Sequence, residues 1–423
     1  MNVFTLVFLL VLAAATAMRA WLAGRQIRHV QARREQVPAV FWDRVAPEQH
    51  RRAADYTAAR TRLARVEVLY DAVLLLAWTL GGGLALVDAG WRVSPLPPLA
   101  AQTAAVVTVL LIAGLLALPF SIYRTFVVEA AFGFNRMTPR LFVSDTLKQA
   151  VLLCALFAPL AAAVLWLMHN AQTLWWLYAW AVWLAFSLGL TWAYPRFIAP
   201  LFNRFSPLED PTLRERIEGL LVRCGFSSDG VFVMDGSRRS THGNAYFTGV
   251  GDNKRIVFFD TLLQTLEPTE VEAVLAHELG HFRMHHVRKR LLASAGVALG
   301  AAALLGWLAE QSGFYQGLGV GQPSASAALL LFVMVGPTFA FVLQPLTAAW
   351  SRRHEFQADA YAAEHSDAGA LLRALVKLYQ ENASTLTPDP IYSRVYDSHP
   401  PALERIAHLA QRTGTGPLQE VTP

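Results

Sequence analysis

Pro268-Thr269-Glu270-Val271-Glu272-Ala273-Val274-Leu275-Ala276-His277-Glu278-Leu279-Gly280-His281 is the stretch on which the reading of this chain turns. It opens with helix signals: a proline suited to a first turn, glutamates at 270 and 272 that complement a positive helix N-terminus, and an apolar stripe of Val271, Val274 and Leu275. On such a helix His277 and His281 stand at i and i+4, one above the other on a single face, so two imidazole nitrogens can reach one ion. Glu278 lies beside the coordination position that these ligands leave open. Two solvated histidines on a polar helix face are the plainer alternative, and the ordered signals upstream argue against it. The helix is expected to continue past the motif into Arg288, Lys289 and Arg290.

A catalytic zinc site takes three protein ligands and keeps a fourth position open. One common layout places a third histidine ten residues after the first, where this chain has Val287, so His285 and His286 are read as basic flank. The other layout draws a glutamate from a separate helix. Ser351-Arg352-Arg353-His354-Glu355-Phe356-Gln357-Ala358-Asp359-Ala360 offers one, with Glu355 and Asp359 on one helical face. Glu355 is expected to complete the site and Asp359 to hold the other ring nitrogen of a ligand histidine. A solvated acidic face on an arginine-rich helix is the alternative. The expectation is one Zn2+ per chain on His277, His281 and Glu355, with Glu278 as the general base of a metalloprotease.

The 423 residues are 54% hydrophobic and only 16% charged, against about 25% charged in a soluble domain. The chain is therefore read as an integral membrane protein. Two cysteines, Cys154 and Cys224, exclude a disulfide framework. Seven stretches are long and apolar enough to span: Val3–Ala23, Val68–Val87, Ala100–Ile122, Ala150–Met168, Leu174–Tyr194, Leu291–Leu308 and Ala327–Leu346. The first is read as a span rather than a cleaved leader, because no Lys or Arg precedes it. Ten arginines, from Arg25 to Arg65, separate the first two spans, and only Arg92 separates the second from the third. Basic and bare segments go on alternating, which places the basic ones on the cytoplasmic side. The net charge of +5 is thus a topology signal, and no nucleic-acid partner is expected. The same alternation puts His277, His281 and Glu355 on one side, with the last two spans forming a hairpin between them.

Four segments follow from this division: residues 1–196 with five spans, 197–290 as a catalytic insert, 291–350 with two spans, and 351–423 with the third zinc ligand. Within the insert, Asp210–Cys224 reads as an amphipathic helix, and Gly230–Met234, Asn244–Thr248 and Arg255–Phe259 read as strands. A small sheet beside a zinc helix can offer its edge to an extended peptide; a plain structural hairpin is the alternative. A further helix is expected near Ala368–Asn382. His399, held before Pro400-Pro401, could donate a hydrogen bond to an oxyanion or could only organise its turn. The tail from Thr413 onward reads as frayed. Glu67, Asp71, Asp88, Glu129 and Asp145 lie near span ends, where they line a polar chamber or mark the interface.

With these residues in hand, the chain resembles the integral-membrane zinc metalloproteases of the CAAX prenyl protease type. The resemblance rests on His277–His281 and Glu355–Asp359. It rests also on Glu129-Ala130-Ala131-Phe132-Gly133-Phe134-Asn135-Arg136-Met137-Thr138, Pro200-Leu201-Phe202-Asn203, His242-Gly243-Asn244-Ala245-Tyr246-Phe247 and Ser398-His399-Pro400-Pro401. It implies a mainly α-helical barrel of seven spans around a water-filled chamber, with a small β-sheet in the protease region. It further implies that Asn244 and Ala245 lie on a substrate-binding strand and that His399 assists near the zinc. It also implies endoproteolysis of a peptide or protein substrate, with lipidated and membrane-associated ones among the candidates, that reaches the chamber through side openings. The Ala/Leu/Arg-rich style points to a bacterial inner membrane, so the family's prenylated substrates are not carried over. A site-2-type intramembrane protease is disfavoured because the motif lies outside the spans, and heat-shock quality-control proteases because they have fewer spans. A non-catalytic membrane scaffold or substrate-holding factor that keeps the fold is the alternative function.

Overall fold

The computed structural model describes residues 2–226, 228, 230–248 and 255–413. The apolar runs form the helices α1 (Val3–Ala32), α2 (Pro47–Trp78), α3 (Gly83–Arg92), α4 (Pro98–Tyr123), α5 (Pro139–Asn170) and α6 (Trp175–Ala193), of which α1, α2 and α5 reach well beyond the runs themselves. Two of them continue as π-helical turns, Arg124–Glu129 after α4 and Tyr194–Ile198 after α6. The expected span Val68–Val87 is instead a broken helix, α2 and α3 meeting at a bend of 44°. Gly81-Gly82-Gly83 is the cause. Gly82 adopts φ +78°, a left-handed conformation that side chains resist, and a Cβ at Gly81 would lie 2.7 Å from the Ala77 carbonyl oxygen. Among the described residues, six helices are long and apolar enough to cross a membrane, or seven spans if the bent pair counts as one.

A catalytic layer follows, with α7 (Ala199–Phe202), β1 (Phe205–Pro207), α8 (Pro211–Cys224), β2 (Val231–Met234), β3 (Ala245–Thr248), β4 (Arg255–Phe259), α9 (Asp260–Thr265) and α10 (Pro268–Arg283). The sheet order is β1-β2-β4-β3: β2 and β4 run parallel, and the outer pairings are antiparallel. β3 is therefore an edge strand. The chain returns to the spans through α11 (His286–Leu308), α12 (Ser312–Gly317) and α13 (Ala325–Ala340), then forms α14 (Gln344–His365), α15 (Ala368–Glu381), α16 (Pro390–Tyr396) and α17 (Ala402–Thr413). The strands and helices expected in the insert and near Ala368 are present to within a residue or two. The tail beyond Thr413 lies outside the described residues.

Two apolar cores organise the molecule. One joins α8, β4, α10, α14 and α15 through Ile217, Leu220, Phe258, Leu275, Leu279, Tyr361 and Leu371. The other lies at the far end of the spans, where Phe8, Val109, Leu165, Trp175, Leu305 and Leu331 meet. Between them the spans part. In the halves of α4, α5, α6 and α11 nearer the catalytic layer, the only buried residues are Asp145 of α5 and His286 of α11. The interior is open there, and the catalytic layer caps it.

Candidate functional site

The α10 helix starts as its sequence signals require. Pro268 opens the first turn, and the Glu270 carboxylate accepts the Glu267 backbone N–H at 2.9 Å in a capping box. Glu270 itself is buried and holds Lys377 of α15 at 2.7 Å, which ties the helix start to its neighbour. Contrary to the sequence expectation, the helix does not run on into Arg288–Arg290. It ends at Arg283, and His285, at φ +55°, turns the chain before α11 begins.

The crossing of α10 with α14 brings the site together. Gly280 permits it: a Cβ there would lie 3.0 Å from Ala358 Cα and 3.0 Å from Tyr361 Cβ. His277 Nε2 and His281 Nε2 then face each other at 3.2 Å, and the Glu355 carboxylate lies 3.4 Å from the first and 3.2 Å from the second. One ligand atom from each of the three residues lies within 4.8 Å of the others. The hydrogen bonds behind the rings fix which nitrogen is bare. Asp359 Oδ1 accepts from His277 Nδ1 at 2.8 Å, so Nε2 carries the lone pair. Arg405, itself buried, clamps Asp359 with Nε at 2.9 Å and Nη2 at 2.5 Å.

On the second histidine, His281 Nδ1 lies 3.0 Å from His286 Nδ1, and His286 Nε2 lies 2.9 Å from Gln357 Oε1. The amide oxygen can only accept, so His286 Nε2 donates to it and His286 Nδ1 accepts from His281. That again leaves the His281 Nε2 lone pair facing Glu355. His286 is fully buried and stacks on His354 at 3.9 Å, so the reading of it as basic flank is wrong. Two lone pairs and a carboxylate, one of whose oxygens (Oε2) is buried without a hydrogen-bond partner, converge on one point. Such a donor set fits a divalent cation with imidazole and carboxylate preferences.

Glu278 follows His277 on α10, turned aside from the face of the two histidines but still within the field of His277, His281 and Glu355. Burial raises its carboxyl above the ordinary pKa, against the pull of His277 and His281. His399 Nε2 comes within 3.5 Å of Glu355 Oε2, and Ser398 Oγ lies 3.1 Å from its Nδ1. Its turn is fixed from below by Arg352, whose Nη1 donates to the carbonyls of Asp397 (2.8 Å) and Ser393 (3.2 Å). His399 keeps 63% of its side chain accessible because it faces an internal cavity. The cavity walls still crowd it enough to lower its pKa, with Glu355 opposing.

Asn244 and Ala245 begin the edge strand. Ala245 is in register with Phe258 of β4, the Asn244 carbonyl accepts the Phe259 N–H at 3.0 Å, and β3 packs beside α10. The loop leading into β3 is gripped by residues of two quoted motifs, Glu129–Thr138 and His242–Phe247, joined by Tyr56 and Asn382, which no sequence signal singles out. His242 stacks on Phe134 at 4.5 Å, and its Nδ1 lies 3.1 Å from Asn382 Oδ1. Tyr56 donates to both Glu129 oxygens at 2.7 and 2.9 Å, and His242 Nε2 is 3.4 Å from Glu129 Oε2. Asn382 Oδ1 also accepts the Gly243 N–H at 3.2 Å. Glu129 is thus a tether between a span and the edge strand. Of the other charges near span ends, Glu67 pairs with Arg124, Asp88 with Arg92, and Asp145 with Arg239.

Comparison with known proteins follows this geometry closely. Residues 26–204 match the CAAX prenyl protease N-terminal family of five membrane helices, and residues 207–413 match peptidase family M48. A CAAX prenyl protease 1 homolog of Oryza sativa is 36% identical over 362 residues, covering 83% of this chain and 82% of its own. The CAAX prenyl protease 1 of Saccharomyces cerevisiae is 37% identical over 310 residues, with 69% and 68% covered. The crystal structure of S. mikatae Ste24p superposes with a TM-score of 0.88 at 30% identity, over 97% of this chain and 99% of that one.

Proposed function

The chain belongs to the M48 peptidase family of CAAX prenyl proteases, membrane metalloendopeptidases, and from that premise we propose how its residues divide the work. His277, His281 and Glu355 would hold a single Zn2+. When bound, the ion would supply a Lewis acid that polarises the scissile carbonyl and makes a neighbouring water more acidic. Glu278 takes a proton from the attacking water and returns it to the departing amine, a task suited to a carboxyl whose pKa burial has raised. His399, kept largely neutral by its cavity, donates a hydrogen bond to the oxygen on which negative charge develops. Asp359 and Arg405 hold His277 in its metal-binding tautomer, and His286 with Gln357 does the same for His281.

Asn244 and Ala245 would take the peptide backbone as an added strand on the free edge of β3. Residues 1–196 and 291–350 act as the membrane chamber, while 197–290 and 351–423 act as the two halves of the protease. Alternating basic segments support a catalytic layer on the cytoplasmic face. The Ala/Leu/Arg-rich composition supports a bacterial inner membrane, although the relatives named above are eukaryotic. The observation that carries this reading is the convergence of two bare imidazole nitrogens and a buried carboxylate beside Glu278. Purified wild type and Glu278→Gln should both contain zinc, and only wild type should cut a peptide, tested farnesylated and unlipidated. Cleavage by both proteins would remove Glu278 from its role, and zinc in both with cleavage by neither would favour a scaffold.

A further inference from the structure

Away from the catalytic centre, a cavity of about 610 Å³ opens between the end of α1, the middle of α14 and the α16 region. Its wall carries His29, Arg33, Arg352 and Arg394, with Glu404 as the one carboxylate among the described lining residues. The three arginines have no carboxylate partner among the described residues. Arg352 is committed to the backbone carbonyls of Ser393, Arg394 and Asp397, with the Asp397 carboxyl also in its field. Arg33 donates to His29 Nδ1 at 3.2 Å, which keeps that ring nitrogen an acceptor. A second observation points into the same space: Thr387 Oγ1 lines the cavity and is buried without a hydrogen-bond partner.

The depth of the cavity relative to the bilayer is set by the helices that form it. The apolar run of α1 ends at Ala23 and that of α14 at Leu346, so His29 and Arg352 each lie six residues farther along continuous helices. At 1.5 Å per residue this is ~9 Å beyond the hydrocarbon edge. A headgroup layer is roughly 5–8 Å thick, so the cavity opens at its outer margin.

We propose that this cavity binds a phosphate group, presented as the headgroup of an acidic membrane phospholipid. Arginine suits the task because its planar fork donates paired hydrogen bonds to phosphate oxygens. Thr387 supplies a hydroxyl donor for a further oxygen. None of these residues touches the metal-ligand cluster; Arg352 also braces the turn that carries His399, whereas Arg33 and Arg394 serve the cavity alone. A lipid seated here would fix the end of α1 against α14 and α16.

The test uses the full chain reconstituted in vesicles of three parts phosphatidylcholine to one part phosphatidylglycerol, extracted mildly and weighed intact by native mass spectrometry. Wild type should retain phosphatidylglycerol in preference to phosphatidylcholine. Arg33→Gln with Arg394→Gln should lower that retention about tenfold, while its peptide cleavage and melting temperature stay at wild-type values. Thr387→Val should give a smaller loss in the same direction. Displacement of the lipid by millimolar inorganic phosphate, with protection lost in the double variant, would keep the phosphate site but overturn the headgroup as its occupant. Equal phosphatidylglycerol retention by wild type and the double variant overturns the proposal outright.

Discussion

From Ala273 to His277 every residue of α10 is buried, whereas α11, the next helix of the chain, buries only His286, Leu305 and Gly306 along 23 residues. One helix is surrounded by α8, β3, α14 and α15; the other runs against α6 along one side and leaves most of its surface uncovered. The contrast extends to the regions they belong to. In the catalytic layer, Glu270, His277, His286, Asp359 and Arg405 are buried with assigned partners, and the ring tautomers follow from them. In the spans, packing is concentrated at the far end, and the near halves stand apart around open space. A rigid site positions reacting atoms within tenths of an ångström, while a wide enclosure admits an extended peptide. The difference suggests that chemistry and access are handled by separate parts of the fold.

If that separation holds, the largest effect should come from a change that alters chemistry and nothing else. Glu278→Gln should lower the cleavage rate about a thousandfold, in line with loss of a general base, with metal content and melting temperature unchanged. Next comes the support of the ligands. Asp359→Asn leaves one acceptor oxygen for two donors, His277 Nδ1 and the Arg405 guanidinium, and removes the charge that pairs with buried Arg405. Metal affinity should fall about 10–100-fold, measured by competition with a chelator, and the protein should also melt earlier. An Asp359→Asn protein that binds metal like wild type would show that the tautomer argument is wrong.

The far core gives the converse test. Leu331→Ala removes a fully buried side chain of α13 and should cost about 2–4 kcal/mol of stability, with cleavage per folded molecule close to wild type. Val151→Ala, at a position 67% exposed on the near half of α5, should cost less than about 0.5 kcal/mol. Similar costs at the two positions would mean that the near halves are packed after all.

The legible parts of the site are those that lie within one helix. His277, Glu278, His281, Glu355 and Asp359 follow from helical periodicity, because spacing along a regular helix fixes direction. His286 was misread for the same reason. Extrapolating α10 past Arg283 carries position 286 away from the site, but the left-handed His285 turns the chain and returns its side chain to His281. Arg405 is not singled out by the sequence, because its clamp on Asp359 joins residues 46 positions apart. The span sequence gave length and apolarity, but the break after Trp78 needed the glycine run to be weighed against them. The tether of Tyr56, Glu129, His242 and Asn382 draws on four separate segments, and no local period relates them.

That tether is where the two regions meet, and its disruption should have a smaller effect than the changes at the site or in the far core but the most informative one. Glu129 sits on the π-helical end of α4, on the span side, while His242 and Gly243 lead directly into β3. Glu129→Gln keeps an acceptor for the Tyr56 hydroxyl but removes the negative charge opposite His242. The catalytic groups and their partners are untouched, so metal content and kcat should stay within about twofold of wild type. The strand that receives the peptide loses part of its anchor, a contact to a charged group worth roughly 1.5 kcal/mol, so KM should rise about tenfold. Glu129→Ala, which also strands the Tyr56 hydroxyl, should raise it further. A fall in kcat at constant KM would place the tether in the chemistry itself, and the division between an enclosing membrane region and a self-sufficient catalytic layer would have to be abandoned.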